Sequence, residues 1–165
     1  MKTLIVVDMQ KDFIDGALGT AEAVAIKDKV REKIKQYLDR GDEVIFTRDT
    51  HSADYMNTHE GSLLPVLHCV KDSDGWQIPA DIDVAECRHI DKPAFGYTGW
   101  DKFDFEEVEL VGLCTDICVV SNALILRALF PEINISVDSA CCAGVSPETH
   151  KAALATMGCC QIEIR

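Results

Sequence analysis

Three residues that are far apart in the sequence could together perform nucleophilic chemistry. Cys118 lies close to the start of a predicted helix, where the helix dipole and free backbone N–H groups favour a thiolate. Asp8 could take the thiol proton, and Lys92 could stabilise both anions. The N–H groups of Cys114 and Cys118 could also hold the oxyanion of a tetrahedral intermediate. As a set, these residues predict attack on an acyl or amide carbon near neutral pH.

Each member of this set also has an ordinary structural interpretation. A helix cysteine such as Cys118 is often a small buried apolar residue, and an aspartate such as Asp8 often caps the loop after a strand. A lysine such as Lys92 is most often solvated at the surface. Only the combination of the three favours a catalytic interpretation.

A second set could bind a divalent metal ion. Asp49 and His51 form an Asp-x-His pair that leaves a predicted strand, and His68 supplies another imidazole about one loop later. Carboxylate and imidazole ligands suit divalent transition metals, and three protein ligands would leave positions open for a substrate. His59 is either a fourth ligand or a surface histidine of the same loop.

The apolar pattern predicts the elements that position both sets. Short β-branched runs alternate with segments of helical periodicity, which is typical of an α/β protein with a parallel sheet and helices on both faces. The predicted strands are residues 3–7, 43–47, 86–90, 107–111, 133–137 and 161–164, and the predicted helices are residues 23–40, 116–129 and 147–157. Ligands of such sheets bind beyond the carboxyl ends of the strands. That rule brings Asp8, Asp49, Lys92 and Cys118 to one edge.

Length, composition and charge exclude several classes of protein. The 165 residues suffice for one well-buried domain, residues 1–165, but not for two ordinary ones. The formal net charge of −12 argues against a nucleic-acid partner, because such binding relies on Lys and Arg. Without a membrane-length apolar stretch or a signal-peptide cleavage site, we expect a cytoplasmic protein. The eight cysteines lie mostly within apolar runs, which disfavours a disulfide framework.

The motifs resemble those of the cysteine hydrolases grouped as isochorismatase-like. The matching segments are residues 5–13 (IVVDMQKDF), 47–51 (TRDTH), 68–70 (HCV), Lys92, 112–119 (GLCTDICV) and 138–145 (DSACCAGV). The resemblance implies a three-layer α/β/α, Rossmann-like fold with a central, mostly parallel sheet. It also implies that Asp8 deprotonates Cys118, that the thiolate displaces ammonia from a small amide, and that water hydrolyses the thioester. Lys92 would stabilise the charged pair, and a cis peptide bond would precede Cys114.

Within this family, the Asp-x-His pair and the later His-Cys-Val segment are similar to those of the nicotinamidases. This resemblance implies hydrolysis of nicotinamide to nicotinate, a reaction of pyridine nucleotide salvage. It also implies that Asp49, His51 and His68 bind a divalent metal ion. Zinc is the first expectation, and iron and manganese are the alternatives. Proteins of this family are commonly homo-oligomers, so the resemblance also implies a homo-oligomer here.

The predicted substrate slot is aromatic. Phe13 would line it, with Phe95, Tyr97 and Trp100 as neighbours. Residues 64–67, which precede His68, depart from the nicotinamidase pattern, so another small amide or ureido compound remains an alternative substrate. A further alternative, of a different class, is a catalytically idle member of the family that acts as a binding protein.

Overall fold

Six parallel strands form one central sheet in the computed structural model, which describes residues 1–165. The strands are β1 (Lys2–Val7), β2 (Glu43–Asp49), β3 (Arg88–Lys92), β4 (Glu107–Leu113), β5 (Asn134–Ala143) and β6 (Glu163–Ile164). Their order in the sheet is β3-β2-β1-β4-β5-β6, and every neighbouring pair is parallel. The predicted α/β class is therefore confirmed.

Helices cover both faces of the sheet. They are α1 (Lys11–Ile14), α2 (Ala21–Asp39), α3 (His59–Leu63), α4 (Val120–Leu129) and α5 (Pro147–Cys159), with short 3₁₀ turns at Tyr55–Asn57 and Thr98–Lys102. One cluster of buried apolar side chains joins the sheet to α2, and a second joins it to α4 and α5. The three-layer Rossmann-like arrangement is thus confirmed. No helix combines the length and apolar character that crossing a membrane requires.

The central position of β1 follows from its sequence. Residues 4–7 are all apolar and have no exposed surface, without the alternation that a one-sided strand would show. On α2, by contrast, Ile26, Val30 and Ile34 recur at helical spacing and form the buried face of that helix. The Thr20 side chain begins α2 by accepting a hydrogen bond from the Ala23 N–H at 3.0 Å.

The strand order creates a crevice between the carboxyl ends of β1 and β4. The chain places β2 and β3 on one side of β1 and β4 to β6 on the other, and ligands bind at such a switch point. Gly112, near the end of β4, has a φ of +116°, and a Cβ at this position would overlap the Val7 carbonyl. Glycine is therefore required for β4 to run this close to β1.

Three boundaries differ from the sequence prediction in ways that affect the crevice. Strand β3 ends at Lys92 rather than at residue 90, so Lys92 is a strand residue. Strand β5 continues to Ala143, because a register shift between Leu110 and Gly112 of β4 lets the pairing resume after an irregularity. A π-helical turn at Thr115–Val119, rather than α4 itself, carries Cys118.

Candidate active site

The structure brings Asp8, Lys92 and Cys118 together at the carboxyl edge of the sheet. Asp8 directly follows β1, whereas the Lys92 side chain reaches over from the end of β3. The Lys92 Nζ lies 2.6 Å from Asp8 Oδ2 and 3.5 Å from Cys118 Sγ. The side chains of Asp8 and Lys92 have no exposed surface, and Cys118 is buried. One ammonium group therefore contacts both a carboxylate and a thiol in a site that largely excludes water.

Asp8 is held in a fixed orientation by β2. Its φ is +47°, and its backbone N–H donates to the Thr47 carbonyl at 3.2 Å. The Thr47 hydroxyl donates to Asp8 Oδ1 at 2.7 Å. The second oxygen, Oδ2, is thereby left for Lys92 and for a proton from the thiol. Sequence reasoning did not single out Thr47, because its type and position are ordinary for a buried strand.

Burial dominates the proton affinities of Cys118 and Asp8. It raises the pKa of Cys118 well above the usual range of a thiol, and Asp8 raises it further while Lys92 opposes both effects. Burial also raises the pKa of Asp8, against the charge of Lys92. Burial therefore favours the protonated thiol and opposes the thiolate that the position near the helix start is expected to favour. An adjacent base has to take this proton, and a carboxylate of raised pKa is a stronger base for that step.

The charge of Lys92 is maintained by its neighbours. Burial lowers the pKa of Lys92, but the negative charges around it, first that of Asp8, outweigh burial and raise the pKa above its usual range. Lys92 also donates a hydrogen bond to the Ala94 carbonyl at 3.1 Å. The side chain is thus a permanent cation beside the thiol at neutral pH.

The turn that carries Cys118 has an irregular backbone. A cis peptide bond joins Leu113 to Cys114, at the position that the family resemblance implies. The Cys114 carbonyl accepts hydrogen bonds from the N–H groups of Ile117 and Val119, both at 3.1 Å, whereas the Cys114 N–H has no acceptor in the protein. The Asp116 carboxylate accepts from the Val145 N–H at 3.1 Å and so attaches this turn to the loop after β5. A free N–H therefore lies four residues before the thiol.

Four potential metal ligands form a second cluster beside the first. One donor atom each from Asp49, His51, Glu60 and His68 lies within 4.8 Å of the others. Asp49 Oδ2 is 2.9 Å from His51 Nε2 and 3.6 Å from His68 Nε2. Asp49 Oδ1 is buried without a hydrogen-bond partner and lies 3.9 Å from the Lys92 ammonium. Two imidazoles, two carboxylates and a buried oxygen without a partner fit a divalent transition metal ion.

The charge states within this cluster suit metal binding. Burial opposes ionisation of Asp49, but the neighbouring imidazoles of His51 and His68 and the charge of Lys92 outweigh it and hold the pKa well below its usual range. The His68 Nδ1 lies 2.7 Å from the Val66 carbonyl, to which it can only donate. In the neutral imidazole, this hydrogen bond leaves the lone pair on Nε2, the nitrogen that faces Asp49.

Backbone contacts fix two of these ligands in place. The buried Gln10 side chain donates to the Asp49 carbonyl at 2.9 Å and accepts from the Asp49 N–H at 2.7 Å. His51 forms an isolated parallel bridge with Val70, which brings the segment of His68 next to the end of β2. The long polar loop between β2 and β3 therefore folds back onto the sheet edge.

Glu60, rather than His59, is the fourth member of the metal cluster. His59 is exposed, and sequence reasoning did not identify Glu60. Thr58 begins α3 by accepting a hydrogen bond from the Gly61 N–H at 3.0 Å, and the helical turn directs adjacent residues to different sides. The Tyr55 ring packs against both imidazoles of the cluster, with centroid distances of 4.6 and 4.9 Å. The only sequence signal for this helix is Thr58, a residue type that commonly caps helices, directly before His59 and Glu60.

A cavity of about 200 Å³ opens over both clusters. Ten of its 15 lining residues are hydrophobic, and none is Lys or Arg; the residues are Phe13, Leu18, Thr20, Ala23, Asp49, Glu60, Leu64, His68, Phe95, Leu113, Cys114, Ile117, Cys118, Gly144 and Val145. The Phe13 ring lies 5.5 Å from the His68 ring, measured between centroids. Phe95 is 43% exposed, so it lies where the cavity meets solvent. Two of the four residues predicted for the slot, Phe13 and Phe95, thus line this cavity.

The structure places Tyr97 and Trp100 elsewhere, which corrects their assignment to the slot. Trp100 is fully buried against α4, and its indole N–H donates to Asn122 Oδ1 at 2.9 Å. Tyr97 packs edge-on against Trp100, with the rings 5.0 Å apart. After Phe95 the chain turns toward α4. There the Trp100 indole has the apolar surroundings and the acceptor for its N–H that a buried indole requires.

Known proteins resemble this chain over nearly its full length. Residues 2–164 match the family model described as "Isochorismatase domain". The chain is 29% identical to the nicotinamidase/pyrazinamidase of Mycobacterium tuberculosis, over 99% of this chain and 98% of that protein.

Solved structures agree with the sequence match. The pyrazinamidase of Pyrococcus horikoshii in complex with zinc superposes with a TM-score of 0.87 at 28% identity, over 99% of this chain and 98% of that one. The pyrazinamidase/nicotinamidase of Streptococcus mutans gives a TM-score of 0.88 at 26% identity, over 100% of both chains. These similarities confirm the resemblance that the motifs indicate, and the chain belongs to the isochorismatase family.

Proposed function

We propose that this protein is a metal-containing cysteine amidase that hydrolyses nicotinamide to nicotinate and ammonia. One observation carries the proposal: Cys118 lines the same cavity as the metal-cluster residues Asp49, Glu60 and His68. A small ligand held at the metal cluster would therefore lie within reach of the thiol. Similarity to proteins named nicotinamidase and pyrazinamidase supports the same class of substrate.

In the proposed first half-reaction, Asp8 accepts the Cys118 proton as the sulfur forms a bond to the amide carbon. The Lys92 ammonium, 3.5 Å from the sulfur, stabilises the negative charge that develops there. The N–H groups of Cys114 and Cys118 would hold the oxyanion of the tetrahedral intermediate. The C–N bond then breaks, and the amide nitrogen takes the proton from Asp8 and leaves as ammonia.

In the second half-reaction, water attacks the thioester carbon. Asp8, again a carboxylate, accepts a proton from the water molecule as the C–O bond forms. The C–S bond then breaks, and the proton returns from Asp8 to the Cys118 sulfur. The acid product leaves and loses its remaining proton to water as nicotinate. The Thr47 hydroxyl holds Asp8 Oδ1, and Oδ2 faces the Lys92 ammonium on the side of the thiol. This arrangement suits a carboxylate that has to accept and return a proton twice.

Asp49, His51, Glu60 and His68 would hold the divalent ion, zinc or alternatively iron or manganese. When bound, this ion would offer an open coordination position to the ring nitrogen of the substrate and so orient the ring. Phe13, next to His68, would pack against the ring.

The cavity favours an uncharged substrate. Its lining has no Lys or Arg and includes the carboxylates Asp49 and Glu60, so no basic side chain of the lining would pair with a substrate carboxylate. Nicotinamide is neutral and largely apolar and meets this condition. The second candidate substrate is another small uncharged amide. It is favoured because the segment that departs from the nicotinamidase pattern contributes the aliphatic Leu64 to the cavity wall.

Ammonia release from nicotinamide tests the proposal directly. After chelation, we expect release to return when zinc, manganese or iron(II) is added, and to be abolished by Cys118→Ala. The exposed thiol of Cys159 provides a matched control, since Cys159→Ala should keep full activity. An active Cys118→Ala protein would overturn the mechanism. A metal-loaded wild-type protein that releases ammonia from other neutral amides but not from nicotinamide would refute the substrate assignment.

A further inference from the structure

Asn122 is a buried polar side chain outside the two clusters of the candidate active site. It lies on α4, one helical turn after Cys118, and has no exposed surface. Its Nδ2 donates to the Cys118 carbonyl at 2.8 Å and to the Phe95 carbonyl at 3.1 Å. Its Oδ1 accepts from the Tyr97 N–H and from the Trp100 indole N–H, both at 2.9 Å. The carboxamide thus uses both donors and both acceptor positions that it has.

Three of these hydrogen bonds join the π-helical turn with Cys118 to the loop after β3, residues 93–97, which directly follows Lys92. The fourth reaches Trp100 in the next 3₁₀ turn. Lys92 donates into this loop, to the Ala94 carbonyl, and contacts the Cys118 sulfur at 3.5 Å. The separation of ammonium and sulfur therefore depends on how the loop lies against the turn. Asn122 is a direct side-chain connection between the two.

We propose that Asn122 is a positioning residue that fixes the loop after β3 against the π-helical turn and so holds the Lys92 ammonium at the Cys118 sulfur. Asn122 does not line the cavity, so it acts through the residues that it orients. The same contacts hold the backbone of Phe95, whose ring borders the cavity. This inference rests on the proposed role of Cys118 as nucleophile.

The substitution Asn122→Ser separates positioning from simple hydrogen-bond satisfaction. A serine hydroxyl can still donate to the carbonyl four residues earlier, that of Cys118, but it is too short to replace the bonds to the loop. The neighbouring Ser121 makes such a bond to the Ile117 carbonyl at 2.6 Å. Ser121→Ala is therefore a matched control that removes one α4 hydrogen bond to the same turn.

The readout is the pH dependence of Cys118 alkylation by iodoacetamide, followed by mass spectrometry of the metal-loaded protein. Lys92 lowers the pKa of the thiol, so weakening this contact should raise the alkylation midpoint in Asn122→Ser by about one pH unit, a roughly tenfold loss of thiolate near neutral pH. We expect kcat to fall to a similar extent. Ser121→Ala should leave the midpoint unchanged.

A folded Asn122→Ser protein with the wild-type midpoint would overturn the proposal and leave Asn122 a purely structural role. If the serine variant does not fold, Asn122→Thr fills more of the space, has the same single hydroxyl, and carries the same expectation. Alkylation needs no substrate, so its result stands apart from that of the proposed function. Absence of nicotinamide turnover in the wild-type protein would count against the substrate, whereas the midpoint decides the role of Asn122.

Discussion

Thr47→Val should move the acidic limb of the pH–rate profile upward. The Thr47 hydroxyl donates to the buried Asp8 Oδ1 at 2.7 Å, and this bond lowers the pKa of Asp8 against the larger, raising effect of burial. A hydrogen bond to a charged group contributes about 1.5–3 kcal/mol, and each pKa unit corresponds to about 1.4 kcal/mol. Removing the bond should therefore raise the pKa of Asp8 by roughly one to two units. A higher pH is then needed to ionise the base.

The assay is kcat/KM for the hydrolysed amide from about pH 4.5 to 9, because this ratio reports the ionisations of the free enzyme. Thr3→Val is the matched control: Thr3 is also buried, but its hydroxyl donates to Glu43 at the opposite end of β1. Thr47→Ser, which retains the hydroxyl, should restore most of the wild-type profile. A folded Thr47→Val protein whose acidic limb coincides with that of the wild type would refute the assignment of Asp8 as the base.

Three further predictions concern the metal cluster, the buried ion pair and the crevice. His51→Ala should lower the bound metal measured by elemental analysis, whereas His59→Ala, at an exposed position, should not. Lys92→Met leaves the Asp8 carboxylate buried without its partner and should lower the free energy of unfolding by about 3–5 kcal/mol in denaturant titrations. Gly112→Ala should lower the free energy of unfolding by about 3 kcal/mol or more, whereas Gly41→Ala, whose added methyl meets open space, should lower it by about 1 kcal/mol. Equal losses of stability in thermal melts would contradict the close approach of β4 to β1.

The edge position of the reactive residues could be predicted because it depends on strand ends alone. A buried parallel strand is an uninterrupted apolar run, so the residue that ends the run marks the carboxyl edge of the sheet. This reasoning places Asp8 on that edge, and the predicted ends of the second and third strands place Asp49 and Lys92 there as well. The structure agrees with this placement. The cytoplasmic location and the homo-oligomeric state stay predictions.

Residues that depend on loop conformation or on partners across the sheet could not be predicted. Glu60 and His59 are adjacent in sequence, and only the phase of the short helix α3 decides which of them faces the metal cluster. Trp100 follows Phe95 closely, yet it is buried against α4 with its indole N–H on Asn122 and does not line the cavity. Thr47 matters through a partner on β1, and a single sequence does not reveal such cross-strand pairs.

The strand order also has a consequence for how the chain folds during synthesis. Strand β1 lies in the middle of the sheet but is made first, whereas its neighbour β4 is made only after residue 106. Until then, one edge of β1, whose residues 4–7 are all apolar, has no partner, and such edges promote aggregation. Pairing between distant segments is also slow, because loop closure precedes the contacts that stabilise it. We therefore expect soluble yield during expression to depend on temperature and chaperones, and activity to appear only in the last phase of refolding.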